Sequence, residues 1–178
     1  MVVRKSTAEW HGRVPDGSGC VSLGSGVFEG SYSFGSRFDE EAGTNPEELL
    51  GAAHASCFSM ALSLLLTQAG YTPTKIKTLA KVRIERSGNG FAITHIELVT
   101  EGDVPGLDPK SFSAHAEAAK TTCPVSKALT GVDITLGASL VEKPGSLSPR
   151  RSAALRAAHQ ARAHVMSRRG SDRFRRAR

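Results

Sequence analysis

The longest apolar pattern in the chain lies between residues 44 and 69 and predicts one long helix. Asn45 is a suitable N-cap, Pro46 suits the first helical position, and Gly70 is a natural stop. Apolar residues recur at steps of three and four, at Leu49, Ala53, Cys57, Met60 and Leu64. At about 1.5 Å per residue, such a helix is about as long as a small domain is wide. We therefore expect it at the centre of the fold.

Alternating positions and glycines predict strands on both sides of this helix. Repeated glycines in residues 1–36 indicate short strands joined in hairpins. Residues 77–86 and 91–101 alternate and are separated by a Gly/Asn turn, which predicts a further hairpin. A second helix is predicted over 109–122, and a last strand over 132–141. This order is typical of an α+β domain with a curved antiparallel sheet.

Charge divides the chain into two parts. Ten arginines and Lys143 face only two acids in residues 142–178, so this segment carries +9 and residues 1–141 carry −3. We predict a domain over 1–141 and a basic, Arg-rich extension over 142–178 that is disordered or partly helical. The extension has one Phe and no interleaved aromatic residues for base stacking. We therefore do not expect nucleic acid as a partner, and any such binding would be nonspecific.

Cysteine usage and the N-terminal sequence favour a cytoplasmic protein. Three cysteines are too few, and odd in number, for a disulfide-stapled secreted scaffold. The first residues lack the apolar segment of a secretory signal. No continuous run of about 18 apolar residues is found, so we expect no membrane-spanning helix. The chain also lacks a phosphate-binding loop, a dinucleotide fingerprint and a serine nucleophile elbow, which argues against those enzyme classes.

Cys57 is the first candidate for chemistry. A cysteine in the middle of an apolar helix also serves as a small buried hydrophobe. To act as a nucleophile it needs a nearby cation, and arginine suits this role because it stays charged when partly desolvated. Arg37 is a candidate for that cation, although an ordinary surface arginine fits the pattern equally. Glu47 could hold its guanidinium through a bidentate bond, and Glu48 is an alternative.

Cys123 lies on a different predicted element, at the start of a short helix that begins with Pro124. If the two thiols lie within reach, oxidised Cys57 can condense with Cys123 to form a reversible disulfide. Two unrelated buried cysteines fit the spacing equally. A zinc site is a weaker alternative, because its four candidate ligands lack close metal-ligand spacing. Those candidates are His54, Cys57, His115 and Cys123. Cys20, in a glycine-rich hairpin, is interpreted as structural.

Three segments together resemble the OsmC/Ohr family of thiol-dependent peroxidases, and within it the OsmC branch. They are Arg37-Phe38, the stretch GTNPEELLGAAHASCFSMAL from Gly43 to Leu62, and CPVSKAL from Cys123 to Leu129. The resemblance covers nearly all of residues 5–141, and the basic extension has no counterpart in the family. It implies an OsmC-like fold with curved antiparallel sheets and two long central helices. It also implies an intertwined homodimer with active sites at its interface, and no metal or organic cofactor.

The resemblance also implies a role for each candidate residue. Cys57 matches the peroxidatic cysteine and Cys123 the resolving cysteine, while Arg37 matches the activating arginine and Glu47 the acid that holds it. The implied enzyme reduces organic hydroperoxides, and hydrogen peroxide less well, during oxidative or osmotic stress. Its partner is a dithiol reductant, of the lipoyl type in the organic-hydroperoxide branch. The alternative function is a thiol redox sensor or peroxide-binding module that signals through the same disulfide, and turnover with reductant distinguishes it from the enzyme.

Overall fold

The computed structural model describes residues 1–14 and 16–141 of the 178-residue chain. The extension predicted over 142–178 lies outside the described residues, and its disorder or helicity stays a prediction. The first half holds β1 (Ser6–His11), β2 (Ser18–Leu23), β3 (Glu29–Ser33), α1 (Phe34–Phe38) and α2 (Pro46–Gln68). The second half holds β4 (Lys75–Ser87), β5 (Gly90–Asp103), α3 (Pro109–Thr122), α4 (Pro124–Ala128) and β6 (Asp133–Leu140). The α+β class is confirmed.

The first three strands form one antiparallel sheet in the order β1-β2-β3, as the glycine-rich hairpins predict. The helix α1 follows directly, where the sequence predicts a loop beginning after Arg37. Its signal is a capping box: the Ser33 hydroxyl accepts from the Ser36 amide at 3.0 Å, and the Ser36 hydroxyl accepts from the Ser33 amide at 2.9 Å. Arg37 therefore lies in the last turn of a short helix, whereas the sequence predicts it between a strand-like stretch and that loop.

The predicted bounds of the long helix are confirmed in α2. The Asn45 side-chain oxygen accepts a hydrogen bond from the Glu48 amide at 2.8 Å, which satisfies one free amide of the first turn. Pro46 occupies the first helical position. At the other end Gly70 has a φ of +86°, which a residue with a side chain rarely adopts. Local signals thus fix both ends of the element that carries Cys57.

The apolar positions that the sequence predicts along one side of α2 are not its buried face in the single chain. The buried residues are Glu47, Gly51, His54, Phe58, Leu62 and Leu66. Met60 and Leu64, from the predicted stripe, are instead 74% and 58% exposed. Because α2 is apolar on nearly all sides, its periodicity does not select one face. The single chain therefore leaves an apolar side of its central helix uncovered.

One described helix, α2, bears on the expectation of no membrane-spanning helix. Its 23 residues have a mean hydropathy of 1.7 over the most apolar window, enough for a membrane span by length and composition alone. The core helix of a globular domain meets the same criterion. Here α2 packs along β4 and α3. Gly51 makes the approach to β4 close, since a Cβ there would lie 3.4 Å from the Val82 side chain.

The second sheet has the order β4-β5-β6, and its first two strands form the predicted hairpin. β6 instead pairs with β5 in parallel, whereas the sequence predicts an antiparallel sheet throughout. The reason is the connection: α3 and α4 carry the chain back along the sheet, so β6 re-enters in the direction of β5. α2 and α3 cover one face of this sheet, where Phe58, Leu62, Ile96, Leu98 and Phe112 form the fully buried core.

The close approach of Phe112 to Gly102 allows the packing of this core to be tested. A Cβ added to Gly102 on β5 would lie 2.5 Å from the ring of Phe112, which is fully buried and cannot move aside. Gly102→Ala is therefore expected to lower the free energy of unfolding by about 1–3 kcal/mol, measured by urea denaturation. Gly137→Ala on β6 is the matched control, because a Cβ there meets nothing within 4 Å. Equal stability of the two variants would contradict the packing described.

Candidate active site

Arg37 and Glu47 form an ion pair where α1 leads into α2. Arg37 Nη2 donates to Glu47 Oε1 at 2.7 Å, and its Nε donates to Oε2 at 3.2 Å. The Glu47 side chain is 9% exposed and that of Arg37 37% exposed. Two bonds from one guanidinium to one carboxylate fix the orientation of the arginine. Of the two acids that the sequence leaves open, Glu47 makes this contact, and Glu48 is exposed.

An apolar cavity of about 260 Å³ opens beside this ion pair. The rings of Trp10, Tyr32, Phe34 and Phe38 line it, together with Arg37. The Phe34 and Phe38 ring centroids are 4.8 Å apart, and the Arg37 guanidinium carbon lies 5.2 Å from the Phe38 centroid. This cavity was not predicted from the sequence, because its aromatic residues come from two strands and a helix, and Trp10 is separated from the others along the chain. A hydrocarbon group fits such a lining next to a fixed positive charge.

Cys57 and Cys123 come together within the chain. Both are free thiols, and the two sulfurs lie close enough for each to influence the ionisation of the other. Cys57 is half-buried on α2, while Cys123 is fully buried and is the N-cap residue of α4. The sequence leaves open whether these two cysteines are related at all. Their contact provides the proximity that disulfide formation needs, and Cys57 is the more accessible of the two sulfurs.

The surroundings of the two sulfurs differ in their effect on ionisation. Burial raises the pKa of the Cys57 thiol. A hydrogen bond from the Val125 amide lowers this pKa and the neighbouring Cys123 thiol raises it, so that the net shift is upward. Burial also opposes ionisation of Cys123. There, however, the Ser126 amide, Cys57 and the Ser126 hydroxyl outweigh burial, so the pKa of Cys123 is lowered. In the single chain, ionisation is therefore easier at Cys123 than at Cys57.

His54 and Ser126 form a buried pair next to the two cysteines. His54 is fully buried on α2, one turn before Cys57, and its Nε2 lies 2.8 Å from the Ser126 hydroxyl. Burial lowers the pKa of His54, which favours the neutral ring. The sequence indicates His54 only as a weak candidate for a zinc ligand, and it does not indicate Ser126. The available signal is its position, three residues after Cys123 at the start of a helix.

The ion pair and Cys57 do not belong to one site of a single chain. Glu47 and Cys57 are ten residues apart on the same helix, which separates them by about 15 Å along its axis. Since Glu47 holds the guanidinium of Arg37, that cation is also far from Cys57 of its own chain. A zinc site is not supported either. In residues 1–14 and 16–141, no three His, Cys, Asp or Glu side chains form a cluster that could hold a metal ion.

Comparison with known proteins identifies the family of the chain. A family model described as OsmC-like protein matches residues 38–137. Peroxiredoxin OsmC of Escherichia coli K12 is 52% identical over 134 residues, covering 75% of this chain and 93% of that protein. The organic hydroperoxide resistance protein of Xanthomonas axonopodis pv. citri is 34% identical over 96 residues, covering 53% of this chain and 66% of that protein.

A solved structure gives the same result at the level of the fold. The organic hydroperoxide resistance protein of Elizabethkingia anophelis superposes with a TM-score of 0.65 at 28% identity, covering 79% of this chain and 98% of that one. The family match includes both Cys57 and Cys123, and the 52% identity to peroxiredoxin OsmC covers most of the described chain. This chain belongs to the OsmC/Ohr family.

Proposed function

We propose that this chain reduces organic hydroperoxides to alcohols, with Cys57 as the attacking thiol and Cys123 as the resolving thiol. The thiol peroxidase function in peroxide stress follows from the family, whose similar members are named peroxiredoxin OsmC and organic hydroperoxide resistance protein. The residue roles rest on one observation above all, the contact between an accessible thiol and a buried one. We further propose the cytoplasm as the compartment, where such thiols stay reduced.

The chemistry proceeds in three balanced steps. The Cys57 thiolate attacks the terminal oxygen of the hydroperoxide, the O–O bond breaks, and the alkoxide takes a proton and leaves as alcohol. Cys57 is then a sulfenic acid. The Cys123 thiolate attacks the Cys57 sulfur, the S–O bond breaks, and hydroxide takes a proton and leaves as water. A dithiol reductant, for which we propose the lipoyl type, reopens the resulting disulfide by exchange.

Activation of Cys57 requires a cation from another chain. Burial raises the pKa of Cys57, so a nearby positive charge is needed to hold the thiolate at neutral pH. Arg37 of the same chain is held by Glu47, which precedes Cys57 by about 15 Å along α2. In an antiparallel pairing of two α2 helices whose two-fold axis passes near residue 52, residue 47 of one chain lies beside residue 57 of the other. Arg37 of the partner subunit would then lie near Cys57.

The uncovered side of α2 supports this homodimer. Met60 and Leu64 lie on the same exposed side of the helix as Ala53 and are largely solvent-accessible in the single chain. A second copy would bury them, and burial of apolar surface is the main driving force of such association. The proposed site then combines Cys57 and Cys123 of one chain with Arg37 and Glu47 of the partner subunit.

The same arrangement favours alkyl peroxides over hydrogen peroxide. The aromatic cavity beside Arg37 would adjoin the proposed site and receive the organic group of the substrate. Met60, three residues after Cys57 and exposed in the single chain, adds further apolar surface, whereas Phe58 is fully buried in the core. Because burying a hydrocarbon group is favourable, cumene hydroperoxide gains binding energy that hydrogen peroxide cannot.

The proposal predicts a difference between the wild type and Cys123→Ser. With a dithiol present, the wild type is expected to consume cumene hydroperoxide over many cycles, with a higher kcat/KM than for hydrogen peroxide. Cys123→Ser is expected to react about once per chain and then stall as the sulfenic acid, because the second thiol is missing. Peroxide consumption and the mass of the oxidised chain measure both. Stoichiometric oxidation of the wild type without turnover would favour the sensor function instead.

A further inference from the structure

The buried pair of His54 and Ser126 has no part in the three steps as described, yet it adjoins the resolving thiol. Ser126 follows Cys123, the N-cap residue of α4, by three residues, so the two side chains lie on the same turn of that helix, and the Ser126 hydroxyl favours the anion of the Cys123 sulfur. On the other side, the Ser126 hydroxyl lies 2.8 Å from His54 Nε2. Three groups from two helices thus form one chain of contacts from His54 through Ser126 to Cys123.

The direction of these hydrogen bonds follows from the neutral histidine. His54 Nδ1 is buried and has no hydrogen-bond partner among the described residues. A buried N–H without a partner is rarer in proteins than a buried acceptor without one. The tautomer with its proton on Nε2 is therefore favoured, and it donates to the Ser126 oxygen. The Ser126 hydroxyl proton is then directed to its other neighbour, the Cys123 sulfur.

We propose that Ser126 is a catalytic residue of the disulfide-forming step, and that His54 is the positioning residue that directs its hydroxyl at Cys123. The step is the attack of Cys123 on the Cys57 sulfenic acid, so this inference rests on the proposed function. Cys123 is fully buried, and its thiolate forms away from bulk water. The hydroxyl donor stabilises that anion, the S–S bond forms, the S–O bond breaks, and hydroxide leaves as water after taking a proton.

Removing the donor is expected to slow the second step and spare the first. In Ser126→Ala, disulfide formation should slow by about tenfold or more, since hydrogen bonds to charged groups are among the strongest in proteins. Formation of the sulfenic acid should stay within about twofold of the wild type, because that step uses Cys57. Rapid mixing with cumene hydroperoxide, with a sulfenic-acid probe and disulfide mass as readouts, separates the two rates.

Variants at His54 distinguish positioning from packing. His54→Gln keeps an N–H donor close to the position of Nε2 and should restore most of the rate, whereas His54→Leu should match Ser126→Ala. Ser59→Ala is the control, because it removes another half-buried hydroxyl of α2, bonded to Thr78 at 2.8 Å, away from the cysteines. In a Cys57→Ser background, the ultraviolet thiolate absorbance of Cys123 should titrate at higher pH after Ser126→Ala.

Two results would overturn the inference in different ways. Unchanged disulfide formation and an unchanged Cys123 titration in Ser126→Ala would show that the hydroxyl only packs. Failure of the proposed function has another signature: wild-type Cys57 would form no sulfenic acid with cumene hydroperoxide. In that case the resolving step would not occur either, whatever the titration of Cys123 shows.

Discussion

Cys57→Ser is expected to abolish peroxide turnover, with a loss of at least about 10³-fold in kcat/KM. The hydroxyl of serine is far less acidic than a thiol and does not form the anion that attacks the peroxide. The substitution replaces sulfur by oxygen at a half-buried position, so the fold should tolerate it. Consumption of cumene hydroperoxide in the presence of a dithiol measures the effect.

Cys20→Ser is the matched control for this loss. Cys20 is also a half-buried free thiol, but it lies on β2 in the other sheet, opposite Glu9 and Ser31. Its replacement should leave turnover near that of the wild type. If Cys57→Ser still turned over peroxide while Cys20→Ser did not, the assignment of the attacking thiol would be wrong.

A heterodimer of two inactive chains is expected to regain roughly half of the wild-type activity. One chain carries Arg37→Ala and the other Cys57→Ser, and two different affinity tags allow their heterodimer to be purified. If each site takes its arginine from the partner, one of the two sites contains an intact Cys57 and an intact Arg37. The other site lacks both groups. Each parent homodimer lacks one of them in both sites and should be strongly impaired.

A second heterodimer gives the opposite result and serves as the control. Here a chain with both Arg37→Ala and Cys57→Ser is paired with a wild-type chain. Sites shared between chains would leave this heterodimer with no complete site, so it should be almost inactive. If each site lay within one chain, the wild-type subunit would keep its own site and about half of the activity. That reversed pattern would refute the shared site.

Local signals explain why much of the fold was predictable from the sequence. The cap at Asn45, the proline after it and the glycine at position 70 fixed the bounds of α2. Alternation around a short Gly/Asn turn likewise fixed the β4–β5 hairpin, whose register runs from Ser87–Gly90 outward. In each case, residues close in sequence determine the structure.

The parts of the fold and of the site that the sequence did not predict depend on contacts between distant segments. The periodicity of α2 did not indicate which apolar side meets β4, and the choice between Glu47 and Glu48 depended on the same rotation. Only the first lies on the buried face, beside Arg37. The parallel pairing of β6 depends on how α3 and α4 return the chain. Ser126 is identified as a candidate only by its contact with His54, which lies 72 residues earlier in the sequence.

The ten residues from Glu47 to Cys57 also restrict how the length of this protein can vary. Each residue inserted into a helix advances it by about 1.5 Å and rotates it by about 100°. A single insertion there would turn Cys57 away from Cys123 or Glu47 away from Arg37, and in the proposed homodimer the change would affect both sites. The loop at 104–108 is outside that restriction. Insertions and deletions in relatives of this chain are therefore expected in such loops and not between these two positions.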